Sequence, residues 1–322
     1  MTSTDQPAAE VDNAGRQTTR VLVLGGSGML GSMVVSVLAR DERLRVTATV
    51  RSDAAIGTWS TRLDGVDWAR FDGDNVDIVD GYDWIVNAVG VIKPLIHEDD
   101  PAEVENAIRI NALLPHRLAE EAGRSDAKIL QIATDCVYSG SKGAYAEDDP
   151  HDALDVYGKT KSLGEVCSPN AYHLRSSIVG PETGQARSLL EWFRGQPRDA
   201  TLNGFVNHRW NGVTTLHFAR VCLGVVVGAA TPPAAQHLVP TGMVTKYELL
   251  RYFADEFERS DVSITPVDAA TVIDRTLTTK DQDANRALWA AAGYDRPPTV
   301  PEMIAELAAY DYLGAAAAPV RG

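Results

Sequence analysis

Four consecutive apolar residues, Val21, Leu22, Val23 and Leu24, run straight into glycine. The run is too short for a helix and has no polar face, so it predicts a strand covered on both sides, as in a parallel sheet. Similar runs recur at 46–50, 84–89, 128–133 and 172–179, separated by segments of helical periodicity such as 29–39 and 101–122. Strand and helix alternate, which predicts an α/β fold with a doubly wound parallel sheet of Rossmann type. Beyond Gly180 the rhythm loosens. There 188–194 reads as a helix, 201–206 as extended chain, 215–227 as an apolar helix returning to the sheet, and 246–258 and 301–310 as further helices. The expected organisation is a dinucleotide-binding domain over 20–180 with a returning segment at 214–240, and a smaller, interleaved C-terminal substrate lobe made of 181–213 and 241–314. Residues 1–19 hold only Met1 and Val11 as larger apolar groups and read as a disordered leader; 315–322 read as a tail.

Composition is of ordinary globular type, 44% hydrophobic and 23% charged with no internal repeat, and 322 residues is a length comfortable for a two-lobed enzyme. Thirty basic against 44 acidic residues leave a net charge of −14, which disfavours nucleic acid and anionic membranes as partners. The longest apolar stretch, 221–230, is half of the roughly 20 residues that a membrane helix needs, and nothing at the N-terminus resembles a signal peptide. A cytoplasmic protein is expected. Cys136, Cys167 and Cys222 are odd in number and lack CxxC spacing, so neither a disulfide framework nor a metal site is expected.

The candidate chemistry begins at Gly25-Gly26-Ser27-Gly28-Met29-Leu30-Gly31, which fits both G-x-x-G-x-x-G and, from Gly26, G-x-G-x-x-G. Lying between a strand and a helix, such glycines allow a tight turn and let backbone N–H groups approach a pyrophosphate. At the end of the second strand an acidic residue selects the ribose of NAD, whereas arginine pairs with the 2′-phosphate of NADP. Here Arg51-Ser52 stands there, with Asp53 next, which favours NADP(H) over NAD(H). Asp72, after Phe71, is placed to border the adenine, and Asn87-Ala88-Val89-Gly90 to line the cofactor cleft. Tyr157 and Lys161 share one helix face if 156–165 is helical, and a nearby ammonium is expected to lower the phenol's pKa. Thr134 ends the 128–133 strand, where its hydroxyl can orient a substrate carbonyl.

With these motifs in this order, the chain resembles the extended short-chain dehydrogenase/reductase superfamily over residues 20 to about 310. Within it the chain looks most like the dTDP-4-dehydrorhamnose reductase group, through the glycine loop, Ala133-Thr134-Asp135-Cys136-Val137-Tyr138-Ser139-Gly140 and Tyr157-Gly158-Lys159-Thr160-Lys161-Ser162-Leu163-Gly164-Glu165. The resemblance implies Thr134, Tyr157 and Lys161 as catalytic trio, with Tyr157 and Lys161 also touching the cofactor. It implies NADP(H)-dependent reduction of a 4-keto-6-deoxy sugar nucleotide, hydride going to C4 and the proton coming from Tyr157. Asp135, Cys136, Lys93, Arg209 and Trp210 are the substrate-side candidates, with Arg209 suited to a diphosphate and Trp210 to a base or sugar face. Cys136 stands where the group usually has an aromatic residue. That departure keeps open an epimerase or epimerase-reductase using Cys136 with His208 or His173. A non-catalytic NADP-binding regulatory subunit, as in the partner of methionine adenosyltransferase, is a further alternative. A nucleotide sugar is the expected partner, and a homodimer the assembly considered.

Overall fold

The side chains of the first apolar run point alternately into two cores. Val21 and Val23 join Val34 and Leu38 on one side of the sheet, whereas Leu22 and Leu24 join Leu118 and Ile129 on the other. All four are fully buried, which explains why no polar residue interrupts the run. The computed structural model describes residues 18–183 and 187–312. The expected leader up to residue 17 and the tail at 315–322 lie outside the described residues; Thr19, placed in the leader by its sequence, already pairs with Leu44 in the sheet.

The central sheet comprises β1 (Thr19–Leu24), β2 (Leu44–Val50), β3 (Val66–Arg70), β4 (Trp84–Asn87), β5 (Lys128–Ala133), β6 (Ala171–Arg175) and β11 (Ala235–His237). Their order is β11-β6-β5-β4-β1-β2-β3, and every pairing is parallel. The doubly wound parallel sheet is as expected. Helix α1 (Met29–Leu38) packs on one face with α7 (Thr215–Val226), while α2 (Asp53–Ser60) follows β2. Because the strands are parallel, Gly25, Arg51, Ala88 and Thr134 all leave the sheet at its carboxyl edge. The order reverses between β1 and β4, opening a crevice there.

Three elements differ from their sequence patterns. The 84–89 run stops as a strand at Asn87, whose side-chain oxygen accepts the Val89 N–H at 3.1 Å and turns the chain. The 172–179 run splits into β6 and β7 (Ile178–Val179), and β7 leaves the main sheet to pair with β10 (Val213–Thr214). The 101–122 helix is α3 (Pro101–Ala107), a wide π-helical turn (Ile108–Leu113) and α4 (Leu114–Arg124). Pro115 has no N–H to return to the carbonyl of Asn111, which favours the wider register.

In the second half, α6 (Leu189–Arg194) precedes two small sheets: β8 (Thr201–Phe205) with β13 (Ser263–Val267), and β9 (Arg209–Trp210) with β12 (Val244–Thr245). Helices α8 (Lys246–Glu256), α9 (Gln282–Ala291) and α10 (Val300–Ala309) complete it, with α5 (Val156–Leu163) lying earlier in the chain. Among the described residues no helix is long and apolar enough to cross a membrane.

Candidate active site

The glycine loop forms because three positions exclude a side chain for different reasons. Gly25 has φ +79°, and a Cβ there would lie 3.2 Å from Ala88 and Val89, so this turn brings residues 25 and 88–89 together. A Cβ on Gly26 would lie 2.8 Å from that of Ala48, and one on Gly31 2.1 Å from the Gly25 carbonyl oxygen. Thr49 of β2 holds the loop, its hydroxyl accepting the Gly25 N–H at 3.0 Å and its carbonyl the Gly26 N–H at 2.9 Å. The sequence reading missed Thr49, since a threonine in a strand carries no signal of this role. Gly28 caps α1 without a side-chain hydrogen bond, and the first turn holds no acidic residue. Ser27 and Met29 are half-buried on the loop and Leu30 is buried beneath it. The uncapped N–H groups, ringed by glycine, suit a pyrophosphate.

Around this loop stand the other expected cofactor residues. Arg51 is exposed at the end of β2 and has no hydrogen bond or ion pair among the described residues. Ser52 caps α2, its hydroxyl accepting the Ala55 N–H at 3.3 Å. Asp72 is exposed, 3.4 Å from the Arg70 guanidinium. The 88–91 segment is clamped by Asn111, whose side chain exchanges hydrogen bonds with Val91 at 2.8 and 2.9 Å and donates to the Thr160 hydroxyl at 3.3 Å. Asn111 also escaped the sequence reading; a buried asparagine on an apolar helix face was its one signal.

Thr134, Tyr157 and Lys161 are brought together between β5 and α5. Thr134 follows β5 and its hydroxyl accepts the Cys136 N–H at 3.1 Å. Asp155 caps α5 through the Gly158 N–H at 2.9 Å, setting Tyr157 in the first turn and Lys161 one turn later. The Lys161 amine donates to the Ile132 carbonyl at 2.9 Å, and burial pushes its pKa down to about 8. Here the electrostatics depart from expectation. Burial raises the pKa of the Tyr157 phenol, helped by Cys136, Asp135 and Asp155, and opposed by the Thr134 hydroxyl. The Lys161 ammonium is directed at Ile132 instead of the phenol, so desolvation dominates.

On the substrate side, Asp135 is buried, which raises its pKa against the pull of Arg275 and Lys246. The Cys136 thiol is pushed up to about 12 by burial and by Asp135. Lys93 donates to Asp155 at 2.9 Å, close enough to Cys136 for its charge to be felt there. Arg209 is exposed, 3.8 Å from Asp274. Trp210 is an internal residue, 5% exposed, its N–H donating to Ser177 at 2.8 Å, and its ring lies under the Lys246 ammonium. That burial leaves it little surface for a base. The two histidines are engaged elsewhere: His173 Nε2 lies 2.8 Å from the Val166 carbonyl and His208 Nε2 2.8 Å from that of Thr271. Lys246 and Arg275, neither singled out by its sequence context, are the cations that the second half of the chain brings to Asp135.

Residues 19–308 match the model of the RmlD substrate binding domain. The chain is 31% identical over 176 residues to the dTDP-4-dehydrorhamnose reductase of Aggregatibacter actinomycetemcomitans, covering 51% of this chain and 53% of the relative. It is 24% identical over 276 residues to the methionine adenosyltransferase 2 subunit beta of Bos taurus, covering 79% and 77%. The chain spans about half the length of the first two curated reductases that it matches. Among solved structures, dTDP-4-dehydrorhamnose reductase from Bacillus anthracis, in complex with NADP, superposes with a TM-score of 0.69 at 16% identity, covering 90% of this chain and 99% of that one. The UDP-glucuronic acid 4-epimerase from Bacillus cereus, in complex with NAD, gives 0.67 at 15% identity, covering 93% and 99%. At such identities the likeness speaks to the fold. The family match spans nearly the whole described chain, and with the sheet and glycine loop above it places this protein in the RmlD substrate binding domain family.

Proposed function

We propose that the protein is an NADP(H)-dependent reductase of a 4-keto-6-deoxy sugar nucleotide. The observation that carries this reading is the convergence of Thr134, Tyr157 and Lys161 at the carboxyl edge of the sheet, beside a glycine loop whose helix N-terminus is open to an anion. Bound NADPH supplies the hydride that the ketone carbon receives. Thr134 orients the carbonyl, and Tyr157, held protonated by burial, donates the proton to its oxygen. Lys161, anchored on Ile132, hydrogen-bonds the nicotinamide ribose. The Arg51 guanidinium, without a partner among the described residues, takes the 2′-phosphate that distinguishes NADP from NAD. In this reading 20–180 with 214–240 bind the dinucleotide, and 181–213 with 241–314 form the substrate lobe.

The test is stoichiometric NADPH consumption by the full chain with 4-keto-6-deoxy sugars on dTDP, UDP and GDP. Turnover on at least one is expected, with Tyr157→Phe lowering kcat by about 10²- to 10⁴-fold. NADPH binding without turnover on any of them would overturn the reductase reading. It would instead favour a second one, a non-catalytic NADP-binding subunit, to which the longer overlap with methionine adenosyltransferase 2 subunit beta lends weight.

A further inference from the structure

Lys246 begins α8 in a position fixed by several contacts. Thr245 and Glu248 close a capping box around the helix start, and the Lys246 backbone N–H donates to the His208 carbonyl at 2.9 Å. Its ammonium stands 5.5 Å from the ring centre of Trp210, which is itself held by Ser177. That ammonium has no hydrogen bond or ion pair among the described residues. Its charge faces Asp135 and Cys136, and burial lowers its pKa to about 8 while those two groups pull it back up.

Asp135 is the complementary half. It is 8% exposed, and one carboxylate oxygen is engaged by the Thr134 hydroxyl at 3.3 Å and the Cys136 thiol at 3.7 Å. Its other oxygen has no hydrogen-bond partner among the described residues, and no cation stands within the 4.0 Å of an ion pair. An ammonium with unpaired N–H groups and a carboxylate oxygen with open lone pairs thus lie within electrostatic reach of one another, farther apart than an ion pair. The shape of that vacancy in hydrogen bonding selects a ligand group. A carboxylate or a phosphate would satisfy Lys246 but push the already raised pKa of Asp135 higher still. A hydroxyl both accepts and donates, so it satisfies both.

We propose that Lys246 is a sugar-reading residue, donating to a ring hydroxyl next to the reacting carbonyl while Asp135 accepts from that hydroxyl or its neighbour. The assignment rests on the nucleotide-sugar reading above. It makes the recognised ring a neutral, hydroxylated one, and it makes specificity a joint product of the β5 turn and α8.

Calorimetric titration of the full chain tests it, using dTDP and dTDP-glucose, UDP, UDP-glucose and UDP-glucuronate, and GDP and GDP-mannose. Lys246→Met should weaken the conjugate that wild type binds best by roughly 10- to 100-fold, as expected for lost charged hydrogen bonds, and leave the free diphosphate within about 2-fold. Lys246→Arg should recover part of the loss, and wild type should bind UDP-glucuronate more weakly than UDP-glucose. Equal weakening of free diphosphate and conjugate would overturn the proposal, as would unchanged conjugate binding in Lys246→Met. If the sugar-specific loss appears but no keto sugar is reduced, Lys246 keeps its role and the reductase reading falls. If NADPH is consumed yet Lys246→Met binds conjugates normally, the reductase reading stands and this inference falls. A wild type that binds no conjugate overturns both.

Discussion

Lys161 is an amine held where the protein does not solvate it well. Its pKa falls from 10.5 to about 8, so between those values the unfolded chain carries a proton that the native state has given up. Stability due to this group therefore rises with pH across that window, and its ionised form costs stability at pH 7. Because the side chain is only half-buried, the cost is about 1–2 kcal/mol, below the full value of the shift. Relative to Lys161→Met, wild type should gain that amount between pH 7 and pH 10 in urea melts, while the variant loses turnover. No change in the gap would contradict the placement of the charge. Arg51 makes a separate prediction: Arg51→Ala should weaken NADPH by about 1.5–3 kcal/mol more than NADH. Equal losses would remove the 2′-phosphate assignment. Cys136 stays protonated up to about 12 and has neither His173 nor His208 against it. Product formed in heavy water should then carry no enzyme-dependent deuterium at C3 or C5; deuterium that disappears in Cys136→Ser would establish epimerisation.

Among the elements, the glycine loop offers an internal comparison. A Cβ on Gly31 would sit 2.1 Å from the Gly25 carbonyl, whereas on Gly28 the nearest atom is 3.4 Å away. Gly31→Ala should destabilise the fold by about 1–3 kcal/mol in thermal or urea melts, and Gly28→Ala by much less. Similar losses at both would mean the loop adapts freely. This strand-loop-helix unit was legible because every level of its sequence agrees: an apolar run, glycines, then helical spacing. That Thr134, Tyr157 and Lys161 come together was legible in the same way, from strand end and helix spacing. What escaped reading was whatever lacks a pattern of its own. Strand β13 is half-exposed and contains Pro266, α2 buries only Trp59, and Thr49, Asn111, Lys246 and Arg275 acquire their roles from partners distant in sequence. The break in the 172–179 run was hidden for the opposite reason, since both pieces are apolar and differ only in which sheet receives them.

At the scale of the whole molecule, the outer part of the sheet is joined to the second half of the chain by a buried charged cluster as well as by apolar contacts such as those of Leu174 and Leu238. Arg175 of β6 is 2% exposed, donates to Glu165 at 2.5 and 3.1 Å and to Tyr138 at 3.0 Å, and contacts His237 of β11. His237 in turn lies 2.7 Å from the Thr278 carbonyl, and its pKa is lowered to about 4 by burial and by Arg175. This joint has a meaning during synthesis. His237 follows Arg175 by 62 residues, so on a growing chain β6 is for a time the outermost strand, with its hydrogen-bonding edge uncovered. Glu165 precedes Arg175 in the chain, so their ion pair is available before β11 exists, and an ionic pair beside an uncovered edge makes addition of a second copy there costly because its charges would have to be desolvated. Arg175→Leu should therefore scatter more light on refolding from urea than Leu118→Ala adjusted to equal stability; equal scattering would reduce Arg175 to a native-state role.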